Sequence, residues 1–235
     1  MFRFKLMSLF FVLCMVFSCS LVQAQDLRTI SVDGTSTLKV APNKAVVNIS
    51  IENTAKDAKE ASEQNAIVMN KIQSAILGLS ITKDKLQTIN YDLSPVYDLN
   101  NSSRKITGYR VTNEITVNIE DINLVGTVID TAINAGASRV NSVEFGLQDS
   151  DIYKDKVLAQ AILDAKRKAQ VIAQTLGKNI VNVVSVNTGN TYIEARSLNN
   201  AMYMKADSAL MDTSAPIQSG DINVKANVSV VFEMN

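Results

Sequence analysis

Ser36-Thr-Leu-Lys39 has the Ser-x-x-Lys spacing of serine acyl-enzymes. That chemistry needs the serine at the opening of a helix, so that residues i and i+3 face each other. Here the surroundings read as strand, where an odd spacing sends Ser36 and Lys39 to opposite faces. Asn187-Thr-Gly is a poor stand-in for the partner motif of such enzymes. Lys166-Arg167-Lys168 offers an anion-binding patch or, on the preferred reading, a solvated helix face with snorkelling stems. Met202, Met204 and Met211, with Tyr192 and Tyr203 nearby, offer soft thioether donors for Cu(I), an oxidant-scavenging surface, or adaptable apolar contacts on a loop; the last is preferred. The carboxylates Glu114, Asp149 and Asp151 are scattered, and sequence alone places no two of them face to face for acid–base work.

What is missing limits the chemistry further. Gln25 to Asn235 contains no His, no Cys and no Trp. A transition-metal site would have to be built from oxygen ligands or methionine. The glycines are isolated, so no phosphate-cradling loop is present. The expectation is therefore no catalytic residue, no cofactor-binding residue, no metal ligand and no cofactor; the chain is expected not to be an enzyme.

The first residues read as an address. Arg3 and Lys5 form a basic start, Leu6 to Val22 is an almost unbroken apolar run, and Val22-Gln23-Ala24 presents small residues where a signal peptidase cuts. The run is slightly short for a membrane anchor of roughly 20 apolar residues. Cleavage after Ala24 and a periplasmic location are the expectation. Ser18-Cys19 has the small residue before cysteine that lipoprotein processing requires, but Phe17 fits that signal poorly; a membrane would enter only if Cys19 were lipidated. The remaining 211 residues keep all 23 acidic residues and 21 of the 23 basic ones, a net charge of −2 with no footprint for nucleic acid. Without cysteine the mature chain forms no disulfide, and at this length it buries roughly 70% of its unfolded surface and needs none.

The elements that must position these groups follow from periodicity. Arg28 to Val40 is strand-like, interrupted by Gly34. Lys44 to Glu52 alternates, with Ala45, Val47, Ile49 and Ile51 on one face. Asn53 and Thr54 offer caps to a helix over 55–79, with Asp57 three residues after Thr54; its stripe is Ala58, Ala61, Asn65, Val68, Ile72, Ala75 or Ile76, and Leu79, with Ile67 opposite. A strand over 86–97 carries Ile89, Tyr91 and Leu93 on one face and forms a hairpin with 106–119, where Tyr109, Val111, Ile115, Val117 and Ile119 point one way. Asp121 caps a second helix that stops at Gly136. A strand over 138–147 precedes a third helix over 151–176, with Leu158, Ala161, Ile162, Ala165, Ala169, Ile172 and Leu176 as its stripe. Ile180 to Val186 is a strand, 187–219 reads as polar and irregular, and 221–233 alternates strictly. This predicts an α+β fold of antiparallel or mixed sheet layers with long helices packed on one face, and two strand–helix–strand units at 44–97 and 138–188.

The chain resembles the SIMPL-domain family of bacterial envelope proteins, which includes periplasmic oxidative-stress defence and immunogenic proteins. The residues that carry the resemblance are Ser31-Val-Asp-Gly34 through Val40-Ala-Pro-Asn43, Tyr91-Asp-Leu-Ser-Pro-Val-Tyr-Asp98, Ile106-Thr-Gly-Tyr-Arg-Val-Thr-Asn113, Gly126 to Asp130, Gly136-Ala137, Asp164-Ala165, Lys168-Ala169, Leu176-Gly177, and Pro216-Ile217 with Gly220. Asn43 departs from it, since Asp commonly follows that proline. The resemblance covers nearly all of 25–235, implied to be one SIMPL-like domain with an irregular insertion at about 188–219. It implies an α+β fold, an envelope location and ring- or channel-like homo-oligomers, and supplies no catalytic residue. The leading expectation is an exported, non-enzymatic, self-assembling protein that supports envelope and oxidative stress tolerance. The alternatives are a periplasmic binding module for a small ligand or an envelope protein partner, and a hydrolase using carboxylates or Ser36.

Overall fold

Alternation in the second strand organises the larger core. In β2 (Lys44–Ala55), Ala45, Val47, Ile49 and Ile51 are buried on one face, while Lys44, Asn48 and Glu52 lie on the other. The computed structural model describes residues 28–98, 105–194, 196–199 and 219–235. β2 pairs antiparallel with β4 (Ile106–Ile119) on one side and β5 (Arg139–Gly146) on the other. β3 (Leu86–Tyr97) lies outside β4, and the short β8 (Arg196–Asn199) outside β5, giving a five-stranded antiparallel sheet of order β3-β4-β2-β5-β8. A second sheet centres on β9 (Ile222–Met234), flanked by β1 (Thr29–Val40) and by β6 (Ile180–Thr188) with β7 (Tyr192–Glu194).

Two helices cover the five-stranded sheet. α1 (Ala58–Leu77) buries Ala61, Asn65, Met69, Ile72 and Ile76. Ile72 and Ile76 are fully excluded from water, worth about 2–3 kcal/mol each. α2 (Val125–Ala135) packs beside it and ends at Gly136, whose φ of 115° is the left-handed stop expected there. The expected capping differs in detail. β2 runs on to Ala55, so Asn53 and Thr54 remain in the strand, and Asp57 caps α1 by accepting the Glu60 N–H at 2.9 Å. Ile67 is exposed, opposite the buried stripe.

The long α3 (Ser150–Thr175) covers the other sheet, and here the packing departs from the expected stripe. Val157, Ala161, Ala165, Ala169 and Ala173 are buried, whereas Ile162, Ile172 and Leu176 are exposed. The cause lies in β1. A Cβ on Gly34 would stand 2.0 Å from the Ala161 carbonyl oxygen, so α3 lies almost on the strand backbone, a separation only alanines fill. Gly34 therefore marks a helix crossing; β1 continues through it unbroken.

The first strand–helix–strand unit behaves as expected. β2 and β3 share a sheet and run parallel, separated by β4, which is antiparallel to both. The second does not, because β5 belongs to the five-stranded sheet and β6 to the other, so α3 carries the chain between sheets. Within the stretch read as irregular, two short strands are described: β7 pairs with β9 in one sheet and β8 with β5 in the other.

Candidate functional site

Ser36 and Lys39 both lie on β1, three residues apart on an extended strand. The Ser36 hydroxyl donates to Gln160 Oε1 on α3 at 2.9 Å, on the helix-covered side. The two groups are thus split across the sheet, and the acyl-enzyme arrangement is not formed. The basic run on α3 is largely committed: Arg167 reaches Asp164 at 2.7 Å and Lys168 reaches it at 2.8 Å. Asp164 in turn accepts the Thr35 N–H, and the Lys168 ammonium donates to the Asp33 carbonyl at 2.8 Å. Residues 33 and 35 present these groups on the same edge of β1, so the ion pair occupies hydrogen-bonding positions that would otherwise face solvent. Lys168, then Arg167, then the Thr35 amide hold the Asp164 carboxyl well below the usual carboxylate range.

The scattered carboxylates remain apart. Glu114 accepts from Asn141 Nδ2 on the open face of the five-stranded sheet, and Asp151 pairs with Lys154. Tyr192 sits on β7. Met202, Tyr203, Met204 and Met211, and the leader with Cys14 and Cys19, lie outside the described residues.

The structure brings together groups that no sequence spacing announces. A cleft of about 500 Å³ opens at one end of the five-stranded sheet, where β2 begins, β4 ends and the β5–α3 connection passes. Lys44, Asp84, Lys85, Asn118, Glu120 and Asp149 line it. A smaller recess of about 210 Å³, with Ser80, Thr82 and Leu124, shares Lys85, Asn118 and Glu120 with it. On one wall Lys85 is paired with Glu120 and stands 3.9 Å from Asp84. The Glu120 bond raises the Lys85 pKa, and the Thr82 side chain lowers that of Asp84. Asn118 Nδ2 donates to the Lys85 carbonyl at 3.4 Å, anchoring the turn that carries both charges.

The cleft adjoins the crossing between the sheets. There Asn43, after Pro42, sends its N–H to the Gly146 carbonyl and accepts the Gln148 N–H through Oδ1. Similarity to known proteins follows this architecture along its length. The SIMPL family, described as a protein of unknown function (DUF541), matches residues 30–232, from β1 into β9. The chain belongs to the SIMPL family. Among curated relatives it is 27% identical over 210 residues to the 26 kDa periplasmic immunogenic protein of Brucella abortus strain S19, covering 87% of this chain and 84% of that one. It is 26% identical over 201 residues to the uncharacterized protein YggE of Escherichia coli K12, covering 86% and 81%. No helix among the described residues is long and apolar enough to cross a membrane. In this SIMPL chain, Gly34, Asp164, Ala165, Lys168 and Ala169 serve the β1–α3 contact, and Gly136 ends α2.

Proposed function

We propose that this SIMPL protein is an exported, periplasmic, non-enzymatic scaffold that associates with copies of itself and supports envelope and oxidative stress tolerance. The observation that carries the self-association is the contrast between the two sides of the β9 sheet. On β1, the Asp164–Lys168 pair occupies edge backbone groups and α3 lies close above. On β6, the sequence Ile180-Val-Asn-Val-Val-Ser-Val-Asn-Thr188 has no charge and no proline, and Val181, Val183, Val184 and Val186 are each about half exposed. This edge lacks two of the usual guards against strand addition, charge and proline, although two register shifts against β9, at 180–182 and 183–185, interrupt its regularity. Ile172 and Leu176 at the end of α3, which precedes β6 in the chain, are exposed as well.

The periplasmic location is supported by the leader-like N-terminus and by the name of the Brucella relative, a periplasmic immunogenic protein. The non-enzymatic part is supported by the lack of His and Cys after residue 24 and by the engagement of Ser36 with Gln160. The stress role rests on the family resemblance. The test is peroxide survival of a strain lacking the protein, complemented with the wild type or with a variant carrying both Val184→Lys and Val186→Lys. Rescue by the wild type with loss of rescue by the folded double variant is expected. Failure of the wild type to rescue removes the stress role, and equal rescue by both separates it from this edge.

A further inference from the structure

We propose that the cleft between β2, β4 and the start of α3 binds a small zwitterion, a molecule carrying both a free ammonium and a free carboxylate, such as an amino acid or short peptide. The inference is independent of self-association.

Its two charged determinants are Lys44 and Asp149. Lys44 pairs across the ladder with Gly146, and its stem lies over that glycine: a Cβ at Gly146 would stand 2.7 Å from Lys44 Cε and 3.3 Å from Cγ. The glycine thus clears a lane for the lysine stem beside the cleft that Lys44 lines. Unlike Lys85, Lys44 enters no ion pair among the described residues. Asp149 supplies the opposite charge. It occupies the N-cap position of α3, yet its side chain makes no capping hydrogen bond, and its backbone is left-handed at φ 47° and ψ 43°. An aspartate at this position ordinarily turns its carboxylate onto the helix amides.

Among the described residues, two non-glycine residues have positive φ, Ser80 at 62° and Asp149 at 47°; Ser80 lines the smaller recess and Asp149 the main cleft. Aspartate enters the left-handed region readily, so this conformation fixes where the Asp149 side chain leaves the backbone. The charge balance then selects the ligand. Lys44 and Asp149 are the groups not already committed to each other or to a neighbour, since Lys85 is neutralised by Glu120 and Asp84. With Lys85, Glu120 and Asp84 engaged with one another, Lys44 and Asp149 are the charges left to the cleft, and a molecule with one charge of each sign meets both.

Isothermal titration calorimetry on the full mature chain tests this, with L-alanyl-L-alanine, its N-acetyl derivative and its C-terminal amide as probes. The free dipeptide is expected to bind, and each capped form to bind about tenfold more weakly. Lys44→Ala should erase the preference for the free carboxylate, and Asp149→Asn the preference for the free amine. Asparagine tolerates the left-handed backbone, so the second variant keeps the fold. Gly146→Ala, which displaces the Lys44 stem without removing its charge, should act like Lys44→Ala. No heat with the free dipeptide at millimolar concentration, equal binding of the capped forms, or unchanged preferences in the variants would each overturn the proposal.

Discussion

Asn43 Oδ1 accepts the backbone N–H of Gln148 at 2.6 Å, and through this bond the two connections that cross between the sheets hold each other. Asn43 lies between β1 and β2, and Gln148 between β5 and α3. What the position needs is an acceptor, and a carboxylate is one. The departure from the aspartate common in the SIMPL pattern therefore leaves the clamp intact. Asn43→Asp should change stability by less than about 0.5 kcal/mol, whereas Asn43→Ala should cost about 1 kcal/mol. Urea unfolding followed by circular dichroism separates the two.

Gly34 sets the spacing of the smaller layer. Any Cβ there meets the Ala161 carbonyl at 2.0 Å and the Ala165 amide nitrogen at 2.8 Å, both backbone atoms that cannot swing aside. Gly34→Ala should destabilise by about 3 kcal/mol or more, in contrast to Gly177→Ala, where nothing stands within 4 Å but φ is 68° and only a modest strain cost of about 1 kcal/mol applies. Thermal unfolding of the two variants checks the ranking.

Asp164 ties acid stability to the same contact. Its folded pKa is depressed by Lys168, Arg167 and the Thr35 amide. A depressed carboxyl stabilises the fold fully above its unfolded pKa of about 4, and the contribution is lost as pH falls toward the folded value. Wild-type stability should drop on acidification below about pH 4, and Asp164→Asn should start lower at neutral pH and fall less steeply across that window. Urea midpoints measured through the window give both slopes.

A buried amide pair locks α1 to its sheet. Asn65 is wholly buried; it donates to the Val111 carbonyl and accepts from Asn113 Nδ2 at 3.1 Å. Removing it leaves the Asn113 amide unpaired under the helix. Asn65→Ala should cost about 2 kcal/mol or more, and adding Asn113→Ala should cost less than the two single changes together. A double-mutant cycle in urea measures the coupling.

Sequence patterning carried the strands that are wet on one face and packed on the other. β2, β4 and β9 bury the residues that alternation assigns, apart from Tyr109, which is half-buried, and the α1 stripe holds at Ala61, Asn65, Ile72 and Ile76. Ser36 and Lys39 were separable because an extended backbone decides which way residues three apart point. On α3 the sequence reading holds for Ala161, Ala165 and Ala169, whose four-residue spacing lets the helix approach its neighbour, and fails for Ile162, Ile172 and Leu176, because that close approach to Gly34 leaves room for alanine alone. β3 adds a related case: Ile89, Tyr91 and Leu93, read as one apolar strand face, are each about half exposed at the sheet edge, and the Tyr91 hydroxyl is hydrogen-bonded to Ser62 on α1. The cleft was illegible because Lys44, Lys85, Glu120 and Asp149 meet only through strand register and the crossing between sheets.

The central claim, that this SIMPL protein is a self-assembling scaffold, is tested most directly by the molar mass of purified residues 25–235, measured by size-exclusion chromatography with light scattering at micromolar concentration. The account predicts a mass that is a multiple of the monomer, and a shift toward monomer when Val184→Lys and Val186→Lys are introduced into β6. A strict monomer for the wild type would contradict it.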